Sequence, residues 1–212
     1  MDQETYFAWQ KEIGEFGARV DAFKFKDDIS PRDQVLDFGS GGGYMLDLLP
    51  GKEKIGIEIN PSARENAQAR GIKTLAFTSS VPDSWADVII SHHALEHTEN
   101  PLAELKALFA KLKEGGKIIF VVPLERKNPY HINDINQHYF TWSEMNLGNL
   151  FSRAGFQVLE VKEIWHAWPR NYQYWGKLLQ PSIFHQLCRF IGWWRRHRIS
   201  QLRILASKTN QN

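Results

Sequence analysis

Apolar residues follow two different periods along this 212-residue chain. Short strand-like segments recur at Gln34–Phe38, Lys54–Ile59, Lys73–Phe77, Asp87–Ser91, Lys117–Val122, Phe156–Ile164 and Gln201–Ala206, and the fourth and fifth are nearly unbroken apolar runs. Asp87-Val-Ile-Ile-Ser91 and Lys117-Ile-Ile-Phe-Val-Val122 lack the polar alternation of a strand with one wet face, which predicts a parallel sheet covered on both sides. Between these runs the period lengthens. Tyr6, Phe7, Trp9, Ile13, Phe16, Val20 and Phe23 stand at helical spacing and predict a leading amphipathic helix over 5–29, stopped by Ser30-Pro31. Asn60-Pro61 predicts an N-cap with proline at the first helical position, opening a helix to Arg70 with Gly71 as its stop. Asn100-Pro101 opens another helix, closed near Gly115-Gly116. Thr141-Trp-Ser-Glu144 has capping-box spacing and predicts a helix running to Ala154. Strands alternating with helices make this an α/β chain.

The first strand ends on a distinctive loop, Val35-Leu36-Asp37-Phe38-Gly39-Ser40-Gly41-Gly42-Gly43, followed by a helix to about Leu49. The second, Ile55-Gly56-Ile57-Glu58-Ile59-Asn60, ends on a carboxylate 21 positions after Asp37. This is the layout of a nucleotide-type cofactor site beyond the carboxyl ends of an open α/β sheet. Glycine at 39, 41 and 43 lets the backbone turn sharply and approach a ligand with no Cβ in the way. Glu58 is placed to accept hydrogen bonds from ribose hydroxyls. A dinucleotide fingerprint reads G-x-G-x-x-G/A, but counting from Gly39 puts Tyr44 at its last position. The pattern present is D-x-G-x-G-x-G.

In that loop the chain resembles a class I S-adenosylmethionine (SAM) dependent methyltransferase. The similarity continues through Trp85–Thr98, Leu112–Pro123, Tyr139–Glu144 and Ala154-Gly-Phe156, covering roughly 30–164. It implies a Rossmann-like, seven-stranded, mostly parallel sheet with an antiparallel last strand and helices on both faces. It implies one methyltransferase domain over 1–212: a leading helix (1–30), a SAM-binding core (31–164), a helical insertion (165–200) and the last strand (201–207). The expected cofactor is SAM, leaving S-adenosylhomocysteine. Carried onto this sequence, the family's cofactor contacts fall on Asp37, Gly39, Ser40, Gly41, Gly43, Glu58, Ile59 and Asn60. Thr78 and Ser79 fall at the adenine edge, where members commonly have an Asp, and Ser91 and His92 beside the sulfonium.

Bulk properties narrow the setting. No stretch reaches the roughly 18–20 apolar residues of a membrane span, and the start, Met1-Asp-Gln-Glu-Thr5, is unlike a secretory signal. Cys188 is the single cysteine. Cytoplasm is therefore expected. The net charge of +2 hides an asymmetry: residues 164–212 hold eight Lys or Arg and no acid, so the rest carries −6. Trp165, Trp168, Trp175, Trp193 and Trp194 share that segment. Residues 183–198 feed apolar positions into Arg195, Arg196 and Arg198, a make-up suited to peripheral contact with the inner face of a membrane or to a lid gripping an anionic, lipid-linked acceptor. A solvated basic face over an aromatic mini-core is the plainer alternative.

Methyl transfer from a sulfonium needs donor binding, exclusion of water and alignment; a base matters when the nucleophile is a hydroxyl or a protonated amine. Tyr130-His131 and His138-Tyr139-Phe140 follow the fifth strand, where the fold builds its acceptor pocket. His138 is the first candidate base and His131 the second. No His, Cys, Asp or Glu set has metal-ligand spacing, so no metal is expected. Asn128-Pro129-Tyr130 is similar to the Asn-Pro-Pro-Tyr motif of adenine N-methyltransferases, but it is one residue short and follows the wrong strand. With a net charge near zero, no specific nucleic-acid partner is expected. The leading expectation is O-methylation of a small molecule such as a sugar or lipid-linked saccharide. The alternatives are a quinone-type lipophilic acceptor, or an inactive SAM-binding regulatory or partner protein.

Overall fold

Alternate residues of the strands face opposite sides of one sheet, and both sides are buried. The structure is a computed structural model that describes residues 3–126, 130, 132, 134 and 136–209. Its strands are β1 (Gln34–Phe38), β2 (Glu53–Ile57), β3 (Lys73–Leu75), β4 (Ala86–His92), β5 (Leu112–Glu125), β6 (Gln157–Ile164) and β7 (Ile199–Ser207). They lie in the order β3-β2-β1-β4-β5-β7-β6. The pairs from β3 to β5 are parallel, and β7 runs antiparallel to both β5 and β6.

Seven helices connect them: α1 (Gln3–Asp21), α2 (Tyr44–Leu48), α3 (Pro61–Ala69), α4 (Pro101–Lys111), α5 (Glu144–Ala154), α6 (Tyr172–Leu178) and α7 (Pro181–Arg195). On one face Leu36, Ile89, Ile118 and Phe120 meet Leu105 and Leu108 of α4 and Leu147 and Phe151 of α5. On the other, Val35, Val88, Ile90, Ile119 and Val121 meet Ala18 of α1, Met45 and Leu46 of α2 and Ala67 of α3. This period-two division of unbroken apolar strands is what two covered faces demand. Brought together at one end of the sheet are the carboxyl ends of β1, β2, β4 and β5.

Several boundaries depart from expectation. The leading helix ends at Asp21, well before Ser30, and two short 3₁₀ turns follow. Leaving the helix there puts the fully buried Phe25 on the sheet and Lys24 beside Asp21. The expected cap at Thr141 moves two residues on. Ser143 and Asn146 exchange the capping-box hydrogen bonds, and the flanking Trp142 and Leu147 are both buried, as in a hydrophobic staple. Gly115 and Gly116 do not end α4; they lie within β5, where Gly115 takes a positive φ and its N–H bonds to the carbonyl of Lys208. Between β6 and β7, α6 and α7 pack on α1 through Phe16, Val20, Trp168, Tyr172, Phe184 and Cys188. An aromatic mini-core therefore exists, while Phe190 and Trp194 stay 63% and 72% exposed on α7.

Candidate cofactor and acceptor site

The glycine loop is held by its own amides. The N–H groups of Gly39 and Ser40 both donate to the carbonyl of Ile57, and that of Gly43 to Ser40. The Gly41 N–H donates to Glu58 Oε2 at 2.9 Å, and Glu58 Oε1 accepts from the Asn60 N–H at 2.8 Å. Gly39, Gly41 and Gly43 all have positive φ, the left-handed region that only glycine enters without strain. A Cβ on Gly39 would lie 2.2 Å from that of Ala94, so the segment after β4 rests directly on the loop. Above Gly41 there is open space. Four amides of the loop, those of Gly39, Ser40, Gly41 and Gly43, are thus bonded within the chain.

Asp37 is only 3% exposed. Burial, reinforced by the neighbouring Glu58, pushes its carboxyl up to about 8. Among the described residues no Lys, Arg or His pairs with either carboxylate. A cation placed here would lower that pKa, whereas an anion would meet a second negative charge. Beyond the strand ends, Ile59 and Phe77 stand 71% and 64% exposed. They are neighbours by register, because Ile57 pairs with Leu75. Together they offer an apolar platform for a flat base. The donor set thus fits a ligand with a ribose, a planar base and a positive charge.

Other expected contacts are engaged elsewhere. The Ser40 hydroxyl is the exception: it is buried against Gly56 with no hydrogen-bond partner among the described residues. Ser91 Oγ donates to the Phe38 carbonyl at 2.7 Å, tying β4 to β1. Thr78 Oγ1 donates to Glu104, and Asn60 Oδ1 caps α3. Ser91, Thr78 and Asn60 thus brace the site's frame through these bonds, and Ser79 is exposed beside them. His92 is tied to α1: Lys24 Nζ donates to its Nε2 at 3.1 Å and pairs with Asp21 at 3.0 Å. Burial, aided by Lys24 and His93, holds the ring well below its ordinary pKa. A neutral ring accepting at Nε2 keeps its proton on Nδ1, so His92 is a hydrogen-bond donor rather than a base.

On the acceptor side, His138 Nδ1 lies 3.0 Å from Glu125 Oε2, with both side chains largely buried. A carboxylate on Nδ1 fixes the tautomer that leaves Nε2 as a free lone pair, the arrangement of an oriented base. The His97 ring crosses that of His138 at 4.9 Å. Possible ligand atoms of Glu96, His97 and His138 lie within 4.8 Å of one another, a convergence that linear spacing, with its expectation of no metal, did not disclose. His131 lies outside the described residues.

A family model described as a methyltransferase domain matches residues 8–161. The chain belongs to the class I SAM-dependent methyltransferase family. A ubiquinone biosynthesis O-methyltransferase of Cereibacter sphaeroides is 23% identical over 171 residues, 75% of this methyltransferase and 59% of that relative. The chain therefore spans about three fifths of the relative's length. Among solved structures, a SAM-dependent methyltransferase of Thermotoga maritima, described as a possible histamine N-methyltransferase, superposes with a TM-score of 0.66 at 19% identity, covering 96% of each chain. Haemonchus contortus phosphoethanolamine N-methyltransferase 2, solved with SAM, gives 0.63 at 13% identity over 86% of this chain and 50% of that one. At these identities the structural matches establish the methyltransferase fold.

Two residues that hold the histidines of this region went unread in the sequence. Glu125 ends a strand that reads as purely structural. Lys24 sits in a segment expected to be continuous helix. Their signal is three-dimensional: each is a charged group set against a histidine from another element. No helix among the described residues is long and apolar enough to cross a membrane.

Proposed function

We propose that the protein transfers the methyl group of SAM to a hydroxyl of a small acceptor. When bound, SAM supplies an electrophilic methyl on a sulfonium, and the protein's share is to bind, orient and shield. The observation that carries this reading is the Asp37–Glu58 pair, two acidic side chains beside the glycine loop that no Lys, Arg or His side chain among the described residues pairs with. Asp37 would meet the positive methionine end, Glu58 the ribose, and Ile59 with Phe77 the adenine. His138, oriented by Glu125, would take the acceptor's proton at Nε2.

For the acceptor, a sugar or lipid-linked saccharide is the first reading. The kinship to ubiquinone biosynthesis O-methyltransferases favours a quinone-type, lipophilic phenol as the second. We place the protein in the cytoplasm. The exposed Phe190, Trp193 and Trp194, with Arg195 and Arg198, which have no acidic partner among the described residues, support contact with the inner face of a membrane. Two other basic residues of this segment serve the fold instead: Arg203 pairs with Asp28 and Glu160, and Lys208 with Glu114.

Release of S-adenosylhomocysteine with a hydroxylated acceptor tests the reaction, and its absence with every sugar and phenol offered would leave only a SAM-binding role. With an acceptor in hand, His138→Ala should lower turnover roughly 10²–10⁴-fold and leave SAM affinity nearly unchanged. Wild-type turnover in that variant would place the base elsewhere. A chelator separates the other chemistry available at Glu96, His97 and His138: the base reading requires that turnover survive it.

A further inference from the structure

At the exit of β6, a cleft of about 460 Å³ lies between the turn after α1, that strand end and α7. Its walls include Phe23, Trp165, His166, His185 and Arg189. The walls are fixed by backbone packing. A Cβ on Gly192 would fall 2.5 Å from the His166 nitrogen, and the Ala167 N–H donates to the Cys188 carbonyl at 3.0 Å. Phe23 and Trp165 remain 45% and 44% exposed, so two aromatic faces border an open volume.

Behind the aromatic wall runs a buried polar string. Asp21 Oδ1 is 3.4 Å from His166 Nδ1, and His166 Nε2 is 3.3 Å from His185 Nδ1. The Asp21 carboxylate beside Nδ1 is an ionic contact that favours the His166 proton on that nitrogen, and with it there Nε2 accepts from the Nδ1–H of His185. The outer nitrogen of His185 is then committed to no partner in the string. Charge at the mouth is one-sided. Glu163, the acid at the rim, is taken by a bidentate pair with Arg126 and by Ser200. Arg189 has no acidic partner among the described residues. None of these groups has a part in binding the cofactor or in the proton transfer assigned to His138.

We propose that this cleft binds a small molecule made of a flat apolar body and an anionic group, with the body against Phe23 and Trp165 and the anion on Arg189 and His185. Carboxylate and phosphate share the chemistry required. The site is coupled to the cofactor end, because Asp21 is also the partner of Lys24, which holds His92. Its ligand is expected whether or not the methyl-transfer reading holds.

The test is a titration of the full chain, labelled at histidine nitrogens for NMR, with phenyl phosphate and, separately, with benzoate. At least one of them should shift the ring signals of His166 and His185 saturably. The tighter of the two identifies the anion. Benzyl alcohol and inorganic phosphate, each holding half of the recognised chemistry, should bind at least about tenfold more weakly. Arg189→Gln should weaken the aryl anion about tenfold or more, and Arg189→Lys should recover part of the loss, while SAM affinity stays at wild-type level in both. Wild-type affinity for the aryl anion in Arg189→Gln, equal binding of benzyl alcohol, or His166 and His185 signals that fail to move would each overturn the proposal.

Discussion

Asp21 and Asp37 are equally buried, each 3% exposed, yet their carboxyls are driven in opposite directions. Burial acts to raise both. At Asp21 it is overcome by Lys24, His166 and His92, which hold the group below the ordinary carboxylate range. At Asp37 nothing opposes it, and Glu58 adds to it, so the carboxyl rises to about 8. The difference separates a finished interaction from an unfinished one. Asp21 has its cation within the chain and helps fix the α1 turn; Asp37 has none among the described residues, and in the proposed reading its partner is the bound cofactor.

The largest expected effect comes from unfinishing the first. Lys24→Met leaves Asp21 buried without its ammonium and should cost about 3–5 kcal/mol of stability, measured by denaturant unfolding. A loss under about 1 kcal/mol would mean that the histidines suffice. Next is Glu58→Ala, which removes a charge-assisted contact and the anchor of the Gly41 amide. SAM affinity should fall by about 1.5–3 kcal/mol in calorimetry, and unchanged affinity would sink the cofactor assignment.

Asp37→Asn should move in two directions at once. The folded form of Asp37 holds its proton to about 8 where the ordinary value is 3.8. The native state therefore binds more protons across that window, and this group's contribution to stability falls as pH rises from about 4 to about 8, then levels off. The variant should be more stable than wild type by about 1–3 kcal/mol at pH 8 without cofactor, with the advantage vanishing near pH 4, and it should bind SAM less tightly. Equal pH profiles for the two proteins would show that Asp37 titrates normally. The smallest effect belongs to the basic segment. Arg195, Arg196 and Arg198 changed together to Gln should abolish salt-sensitive co-sedimentation with anionic vesicles, each contributing about 1 kcal/mol. Binding to neutral and anionic vesicles alike, or to neither, would reject the membrane contact.

What the sequence disclosed tracks how local the cause is. Asp37, Gly39, Gly41, Gly43 and Glu58 are legible because strand, loop and strand end are set by neighbours in the chain. The Asn60 cap is legible for the same reason. Ser91 and Thr78 have the right position for a cofactor contact, but their hydroxyls turn inward to the Phe38 carbonyl and Glu104, partners from other elements. The Glu125–His138 pair, the cluster of His138 with Glu96 and His97, and the Asp21–His166–His185 string each join residues from distant segments. No periodicity records such meetings. The antiparallel direction of the last strand is implied by the family resemblance alone, since an apolar run carries no mark of its direction.

The most direct measurement is the proton balance of SAM binding, by calorimetry at about pH 6.5 in two buffers of different ionisation enthalpy. At that pH the Asp37 carboxyl of the free protein is mostly protonated, and a cation seated beside it should drive the proton off. The account predicts release of about one proton per SAM bound by the wild type and none by Asp37→Asn. SAM binding with no proton release, or NAD binding as tightly as SAM, would contradict it.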